Sequence, residues 1–345
     1  MERALAGFYR APDSGGVMEL QSTVTDGNDI VSGMFVSNSG SKFDIRNGIP
    51  DFTFPVTLAA ADRKARDFYD GRVDDYDRYL PLTFETFGER EDAVRADMVS
   101  RLGLKPDSSV LEIGCGTGRD SFHIASQLPQ GQLFCQDISA NMLTRCRERM
   151  KGLTARVELS LANASYLPFA ENSFDAVFQF GGVGEFGDIG RFFREVARVT
   201  RPGGRVVVGD ESMPPWLRET DFARILTFTN PQFDAALPLE YLPVEARNVN
   251  LRWIIGGTFY LIDFTVGEGE PYADLNFKIP GVKGGTHSTR YYGRLEGVTS
   301  ETKALANQAR ERLGISMHDW LDAVVRRAAA GVLEMQDQSD AESDR

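Results

Sequence analysis

The stretch Val110-Leu-Glu-Ile-Gly-Cys-Gly-Thr-Gly-Arg-Asp120 restricts the fold more than any other. A short apolar run enters three glycines at alternate positions and leaves in a helix-compatible segment. Glycine lets the backbone turn tightly and lets a ligand approach with no Cβ in the way. Strand, glycine loop and helix in that order open an α/β domain whose parallel sheet binds ligands at the C-terminal ends of its strands. The spacing is GxGxG, at Gly114, Gly116 and Gly118, whereas a pyrophosphate-seating loop reads GxGxxG. Glu112, at the end of the strand, would repel a pyrophosphate and suits an ammonium or a sulfonium.

The residues that follow repeat the alternation. Apolar runs at Val110–Ile113, Gln132–Gln136, Val157–Leu161, Phe174–Phe180 and Arg205–Gly209 read as strands. Helical stretches fall at Arg119–Gln127, from Asn141, and at Phe192–Val199, and Pro202-Gly203-Gly204 reads as a turn. Asn248–Ile255 and Thr258–Val266 flank Gly256-Gly257 as a hairpin of two longer strands. Ahead of this hairpin, 211–247 shows no clean periodicity. The expected fold is α/β: a Rossmann-like doubly wound sheet with an antiparallel hairpin, a small N-terminal β module and a C-terminal helix pair.

Two further positions lie at the ends of neighbouring strands. Asp137, about twenty residues past the glycine loop, can accept both hydroxyls of an adenosine ribose, and Ile138 can lie against the adenine face. Asn163, in Leu161-Ala-Asn-Ala164, can read the adenine amino edge.

Together these pieces resemble the class I S-adenosylmethionine (SAM)-dependent methyltransferases, nearest the ubiquinone/menaquinone C-methyltransferase type. The resemblance runs over 68–210. It is carried by VLEIGCGTGRD, QDISANML, LANASYLPFAENSFDAVF, FQFGGVGEFGDIGRFFREVARVTRPGGRVVVGDES and, upstream, FYDGRVDDYDRYL. One departure is Asn163, where the family usually carries Asp. The resemblance implies SAM as cofactor. Glu112 and the loop Gly114-Cys115-Gly116-Thr117-Gly118 would hold its methionine end, Asp137 the ribose, and Ile138, Asn163 and Ala164 the adenine. Phe180 and Gly181 would line the methionine side and face the acceptor. Tyr69 and Tyr76 would close over the cofactor, with Tyr79 toward the substrate; packing on the core by an aromatic face is the competing reading for this helical region.

Methyl transfer from a sulfonium is an in-line displacement for which the protein supplies position and a dry pocket. A general base is needed only where the nucleophile must lose a proton. Glu185 and His287 are the candidates. His287 stands in the polar, aromatic stretch Gly284–Gly293, where Arg290 is placed to meet an anionic substrate group and Tyr291 to line it. The expected acceptor is a small molecule methylated on O, N or C. The alternatives are an rRNA or tRNA base methyltransferase, or a SAM-binding interaction subunit without catalysis of its own.

Composition bears on that choice. Lys plus Arg number 38 against 50 Asp plus Glu, a net charge of −12. A protein built to grip phosphate backbones needs a basic field, so nucleic acid is not expected as a partner. The three cysteines, Cys115, Cys135 and Cys146, form no CxxC pair and suit a reducing compartment. No apolar run is long enough for a membrane span or a signal peptide, and a cytoplasmic location is expected.

Residues 8–52 resemble a zinc-ribbon module found ahead of some methyltransferase domains and in an activator subunit of tRNA methyltransferases. The four ligand positions are here Ala11, Ser14, Val36 and Ser39, so no metal is expected. Residues 301–329 resemble the helical half of ribbon-helix-helix proteins without the basic strand. The plainer reading is a helical hairpin packed on the core or on a second subunit, which would make a homodimer. Ser300 and Ser316 are the expected caps and Gly314 the stop between the helices. The expected divisions are a module over 1–58, a helical cap over 59–104, the SAM-binding domain over 105–267, a substrate-side loop region over 268–298, the helix pair over 299–335 and a disordered tail over 336–345.

Overall fold

The computed structural model describes residues 1–292 and 298–343. It divides into two compact units, Met1–Pro271 and Tyr272–Arg345.

The first unit opens with an antiparallel sheet of β1 (Met18–Asp26), β2 (Asp29–Ser37), β3 (Lys42–Arg46) and β4 (Ile49–Pro50). Four helices follow: α1 (Ala60–Asp70), α2 (Val73–Tyr79), α3 (Pro81–Glu85) and α4 (Glu91–Ser100). The alternating region is β5 (Ser109–Ile113), α5 (Arg119–Ala125), β6 (Gln132–Asp137), α6 (Ala140–Met150), β7 (Arg156–Leu161), β8 (Phe174–Phe180), α7 (Ile189–Val199) and β9 (Thr200–Glu211). It ends with α8 (Asp221–Thr229), β10 (Ala246–Ile254) and β11 (Phe259–Val266).

The second sheet has seven strands in the order β10-β11-β9-β8-β5-β6-β7. Strands β5 to β9 run parallel to one another, β11 pairs antiparallel with β9, and β10 pairs antiparallel with β11. This is the expected Rossmann-like sheet with its hairpin. Every residue of β5 is buried, as a strand covered on both faces requires. Helix α6 starts where Ser139 accepts a hydrogen bond from the Met142 N–H at 3.2 Å. Helix α7 starts where Asp188 accepts from the Arg191 N–H at 2.7 Å; each is a side-chain N-cap. Phe192, Phe193, Val196 and Val199 turn one face of α7 into the core.

Local departures have physical causes. Pro202-Gly203-Gly204 is not a free turn but a bulge inside β9, where the register with β8 jumps from Phe174↔Thr200 to Ala176↔Arg205. The unpatterned stretch 211–247 holds α8, which buries Ala223 against Phe233 and Phe259. In the hairpin, Ile255, Gly256 and Gly257 take φ of 50°, 62° and 78° in succession. A Cβ on Gly256 would stand 2.2 Å from the Phe87 ring, so glycine is required there both for conformation and for space.

The N-terminal sheet is no separate body. Tyr9, Phe35 and Phe52 share one core with Phe134 and Phe174 of the large sheet and with Phe169 of the connection between β7 and β8. Tyr9 stacks on Phe169 at 5.4 Å between ring centres, and the Phe52 N–H donates to the Leu161 carbonyl at 2.7 Å. The two loops in which a zinc ribbon would carry its ligands are tied by a carboxylate. Asp13 accepts from the hydroxyls of Ser41 at 2.6 Å, Ser14 at 2.9 Å and Ser39 at 3.3 Å. Burial works against its charge, but these donors hold the Asp13 carboxyl below the usual range.

The second unit holds α9 (His287–Tyr292), α10 (Ser300–Leu313) and α11 (Met317–Ser343). Thr299, not Ser300, caps α10, and Gly314 closes it at φ 65°. Ser316 accepts from the Asp319 N–H at 3.1 Å, as expected of a cap. The expected disordered tail is corrected through residue 343. Helix α11 continues because no Pro or Gly follows Gly331 to stop it and each added residue closes one more bond on a formed helix. Residues 344 and 345 lie outside the described residues.

Candidate cofactor and acceptor site

Strand β5 lies between β6 and β8, so the chain leaves it toward opposite sides on its two flanks. The connections at the C-terminal ends part there and leave a crevice. A cavity of about 420 Å³ occupies it, walled by the glycine loop, by Asp137 and Ile138, by Phe180 to Gly182, and by α1 and α2.

The glycine loop takes left-handed φ at Gly114 (65°), Gly116 (52°) and Gly118 (82°). A Cβ on Gly118 would meet the Cys146 sulfur at 2.8 Å and its Cα at 3.2 Å, so this glycine packs the loop onto α6. Asp137 organises the loop. Its Oδ2 accepts from the Gly116 N–H at 2.8 Å and its Oδ1 from the Ser139 N–H at 2.8 Å. Burial outweighs these two donors and pushes its carboxyl up to about 6. An unfolded aspartate ionises near pH 4. Between those values the folded state therefore loses relative stability as pH rises, and above them the effect is constant.

Helices α1 and α2 close over the crevice and are latched to α6 and to the loop. Asp70 accepts from Ser139 Oγ at 2.5 Å, and Asp74 pairs with Arg145. Asp77 accepts from Thr117 Oγ1 at 2.7 Å and pairs with Arg149 at 2.9 Å and Arg119 at 3.2 Å. Tyr69 and Tyr76 line the cavity beneath this lid. The Tyr76 hydroxyl would lie 3.8 Å from a Cβ on Gly116.

Most expected cofactor residues converge on the cavity. Gly114, Cys115, Gly116, Thr117 and Ile138 line it, as do Ala164, Phe180 and Gly181. Three expectations need correction. Glu112 does not reach the cavity: it is 2% exposed, hydrogen-bonds to Ser121 Oγ behind the loop and lies 3.7 Å from the Cys135 sulfur. Burial raises its carboxyl well above the usual range. Asn163 lines the cavity, but both ends of its amide are used internally. Nδ2 donates to Asp62 at 3.0 Å, and Oδ1 accepts from the Ser165 N–H at 2.9 Å. Tyr79 is 48% exposed and carries Arg78 over its ring at 5.3 Å, because it ends α2 on the solvent side; it does not line the cavity. His287, Arg290 and Tyr291 belong to the second unit. There the Arg290 guanidinium donates to the Gly284 carbonyl at 2.8 Å.

The cavity joins expected Tyr69 and Glu185 to residues the sequence did not single out. The Tyr69 hydroxyl donates to Glu185 Oε2 at 2.9 Å, and burial pushes the Glu185 carboxyl up despite that bond. Glu211 closes the end of β9 and pairs across the sheet with Phe259. Asn230 and Gln232 complete this wall. Buried Asp62 accepts from the Gly187 N–H at 2.7 Å as well as from Asn163. Arg95 donates to Asp120 at 2.5 Å and to Glu91 at 2.8 Å. The signal for Glu211 was available as an acid at the end of a parallel strand, but Asp62 and Arg95 sit on helices whose faces no local pattern fixes.

Residues 110–204 match a family described as a methyltransferase domain. This segment is a class I SAM-dependent methyltransferase domain. The chain is 32% identical over 151 residues to the demethylmenaquinone methyltransferase of Desulfitobacterium hafniense (strain Y51), covering 39% of this chain and 60% of that protein. It is 31% identical over 132 residues to methyltransferase GfsG of Streptomyces halstedii, covering 38% and 47%. Among solved structures, phosphoethanolamine N-methyltransferase 2 of Haemonchus contortus with S-adenosyl-L-methionine superposes with a TM-score of 0.47 at 16% identity, over 66% of this chain and 63% of that one. The chain thus spans about half the length of these curated relatives. No helix among the described residues is long and apolar enough to cross a membrane. The methyltransferase domain takes in the glycine loop, Asp137 and Glu185, whereas the lid helices and Glu211 lie outside the matched segment.

Proposed function

We propose that this protein binds S-adenosyl-L-methionine in the cavity and passes its methyl group to a small-molecule acceptor. The observation that carries this reading is the carboxylate of Asp137 held at the cavity wall by the N–H of the glycine loop's own Gly116. The residues present fit the cofactor. An ionised Asp137 keeps lone pairs free for a ribose diol, Ile138 offers an apolar face, and the glycine loop brings backbone to the cavity without side chains. When bound, the cofactor supplies a methyl group on a sulfonium, which needs no activation by the protein.

The chain's own residues then position and enclose. The latches Asp70, Asp74 and Asp77 keep the lid shut and exclude water. Glu185, with its raised carboxyl and its bond to Tyr69, is the group placed to hold a proton at the acceptor end. A strongly acidic chain with a roofed crevice favours a small acceptor over a nucleic acid. The name of the demethylmenaquinone methyltransferase points the same way for that relative.

Calorimetry with S-adenosylhomocysteine tests the reading. Asp137→Ala should weaken binding by about 1.5–3 kcal/mol, the worth of hydrogen bonds to a charged group; unchanged affinity would remove Asp137 from the site. The pH profile gives a second check. Because the Asp137 carboxyl is held up near 6 in the empty protein, affinity should be flat at higher pH and fall as pH drops through that value. Asp137→Asn should abolish this slope.

A further inference from the structure

The lining of the cavity includes five acidic side chains but only two cationic ones, Arg95 and Arg119. Both cations are committed: Arg95 to Asp120 and Glu91, Arg119 to Glu91 and Asp77. Three of the acids also have donors of their own. Asp62 takes Asn163 and the Gly187 N–H, Asp137 takes two backbone N–H groups, and Asp120 takes Arg95. That leaves Glu185 and Glu211. Glu185 accepts from the neutral Tyr69 hydroxyl and feels the Lys64 charge without an ion pair to it; Glu211 hydrogen-bonds to the neighbouring Asp210 carboxyl, and no cation pairs with Glu211 among the described residues.

These two acids line the same cavity near enough to act on each other's charge, and aromatic rings stand beside them. Phe259 is the direct cross-strand partner of Glu211, so the two side chains emerge on one face. Phe180 packs on Phe259 at 5.7 Å between ring centres. Carboxylates outside any ion pair, beside aromatic faces, make an environment that draws in positive charge and repels negative charge. A phosphate or carboxylate on the acceptor would find no free guanidinium or ammonium among the lining residues.

We propose that the acceptor is an amine, bound as its ammonium ion between Glu185 and Glu211 with its apolar body against Phe180 and Phe259. This rests on the cofactor reading above and narrows the acceptor to nitrogen. Burial pushes both carboxyls up in the empty chamber, and an ammonium between them would favour their ionised forms. Transfer of one N–H proton from the ammonium to the Glu185 carboxylate leaves a neutral amine with its lone pair free and a neutral carboxyl; no other bond changes.

The test uses one carbon skeleton in three charge states. The full-length protein with S-adenosylhomocysteine bound is titrated by calorimetry with benzylamine, benzyl alcohol and benzoate. Benzylamine should bind at least roughly tenfold tighter than benzyl alcohol, with benzoate weakest. Glu211→Gln, alone and with Glu185→Gln, should bring benzylamine to the level of the alcohol and leave the alcohol within about twofold, because only the ammonium depends on the carboxylates. Equal or tighter binding of the alcohol or of benzoate overturns the inference, as does an absence of binding by all three. Retained affinity for S-adenosylhomocysteine shows that each variant is folded. Failure of S-adenosylhomocysteine itself to bind sinks the cofactor reading and this inference together, which separates the two kinds of failure.

Discussion

Arg95→Met should destabilise the protein by about 3–5 kcal/mol, the cost of leaving buried charge without its partner. Arg95 is 4% exposed and Asp120 7%, and their contact at 2.5 Å joins α4 to the first turn of α5 directly beneath the glycine loop. Methionine fills much of the same volume and keeps the contact with Phe84, over which the guanidinium now lies at 5.2 Å. The loss should therefore report charge and not a cavity. Asp120 Oδ1 already lacks a partner among the described residues; without Arg95 the whole carboxylate would be stranded. Glu91 would keep Arg119 at 2.8 Å. Urea denaturation at neutral pH measures the change. The double variant Arg95→Met with Asp120→Asn should recover a large part of it, because removing both charges removes the desolvation cost that the single change exposes. A single variant within about 1 kcal/mol of the parent would show that water already reaches this pair.

Phe52→Ala should cost about 3–5 kcal/mol, the range for emptying an aromatic site in a packed core. The Phe52 ring is fully buried and touches Tyr9, Phe35 and Phe43 at 4.9, 5.4 and 5.6 Å between ring centres. Tyr9 carries the contact on to Phe134 and Phe169. The substitution lies far from the glycine loop in sequence, yet it should lower the midpoint of the transition that unfolds the large sheet. Hydrogen exchange of β6 and β8 amides is the readout. Accelerated exchange confined to β1–β4, with β6 and β8 unchanged, would show that the two sheets open independently.

The residues that announced the sheet were those with strong local rules. GxGxG after a buried strand, an acid at the end of the next strand and apolar runs at regular intervals can each be read without knowing what they touch. The same rule misplaced Glu112. An acid at a strand end can face the crevice or the space behind it, and the choice depends on Ser121 one turn into α5, a tertiary neighbour that periodicity does not reveal. Asn163 shows the converse. Its position beside the cavity was legible, but its Nδ2 donates to Asp62, 101 residues earlier in the chain. Glu185 was legible as a candidate general base, whereas its pairing with Tyr69 and its place near Glu211 follow only once the lid folds over the sheet. The absence of a ligand set in 8–52 was plain from Ala11, Ser14, Val36 and Ser39. What ties those loops, the Asp13 carboxylate among three hydroxyls, was not plain, because serine and aspartate in a loop carry no pattern of their own.

The N-terminal module also bears on how copies of this protein behave toward one another. Strand β7 is last in its sheet, and an open sheet margin is a template on which another chain can add a strand. Asp51 bridges to Leu161 in parallel, the Phe52 N–H fills the Leu161 carbonyl, and Tyr9 bridges to Phe169 just beyond. The segment thereby covers part of the margin where aggregation would start and hides the aromatic surface beside it, so resistance to self-association belongs to the first fifty residues as much as to the sheet they protect.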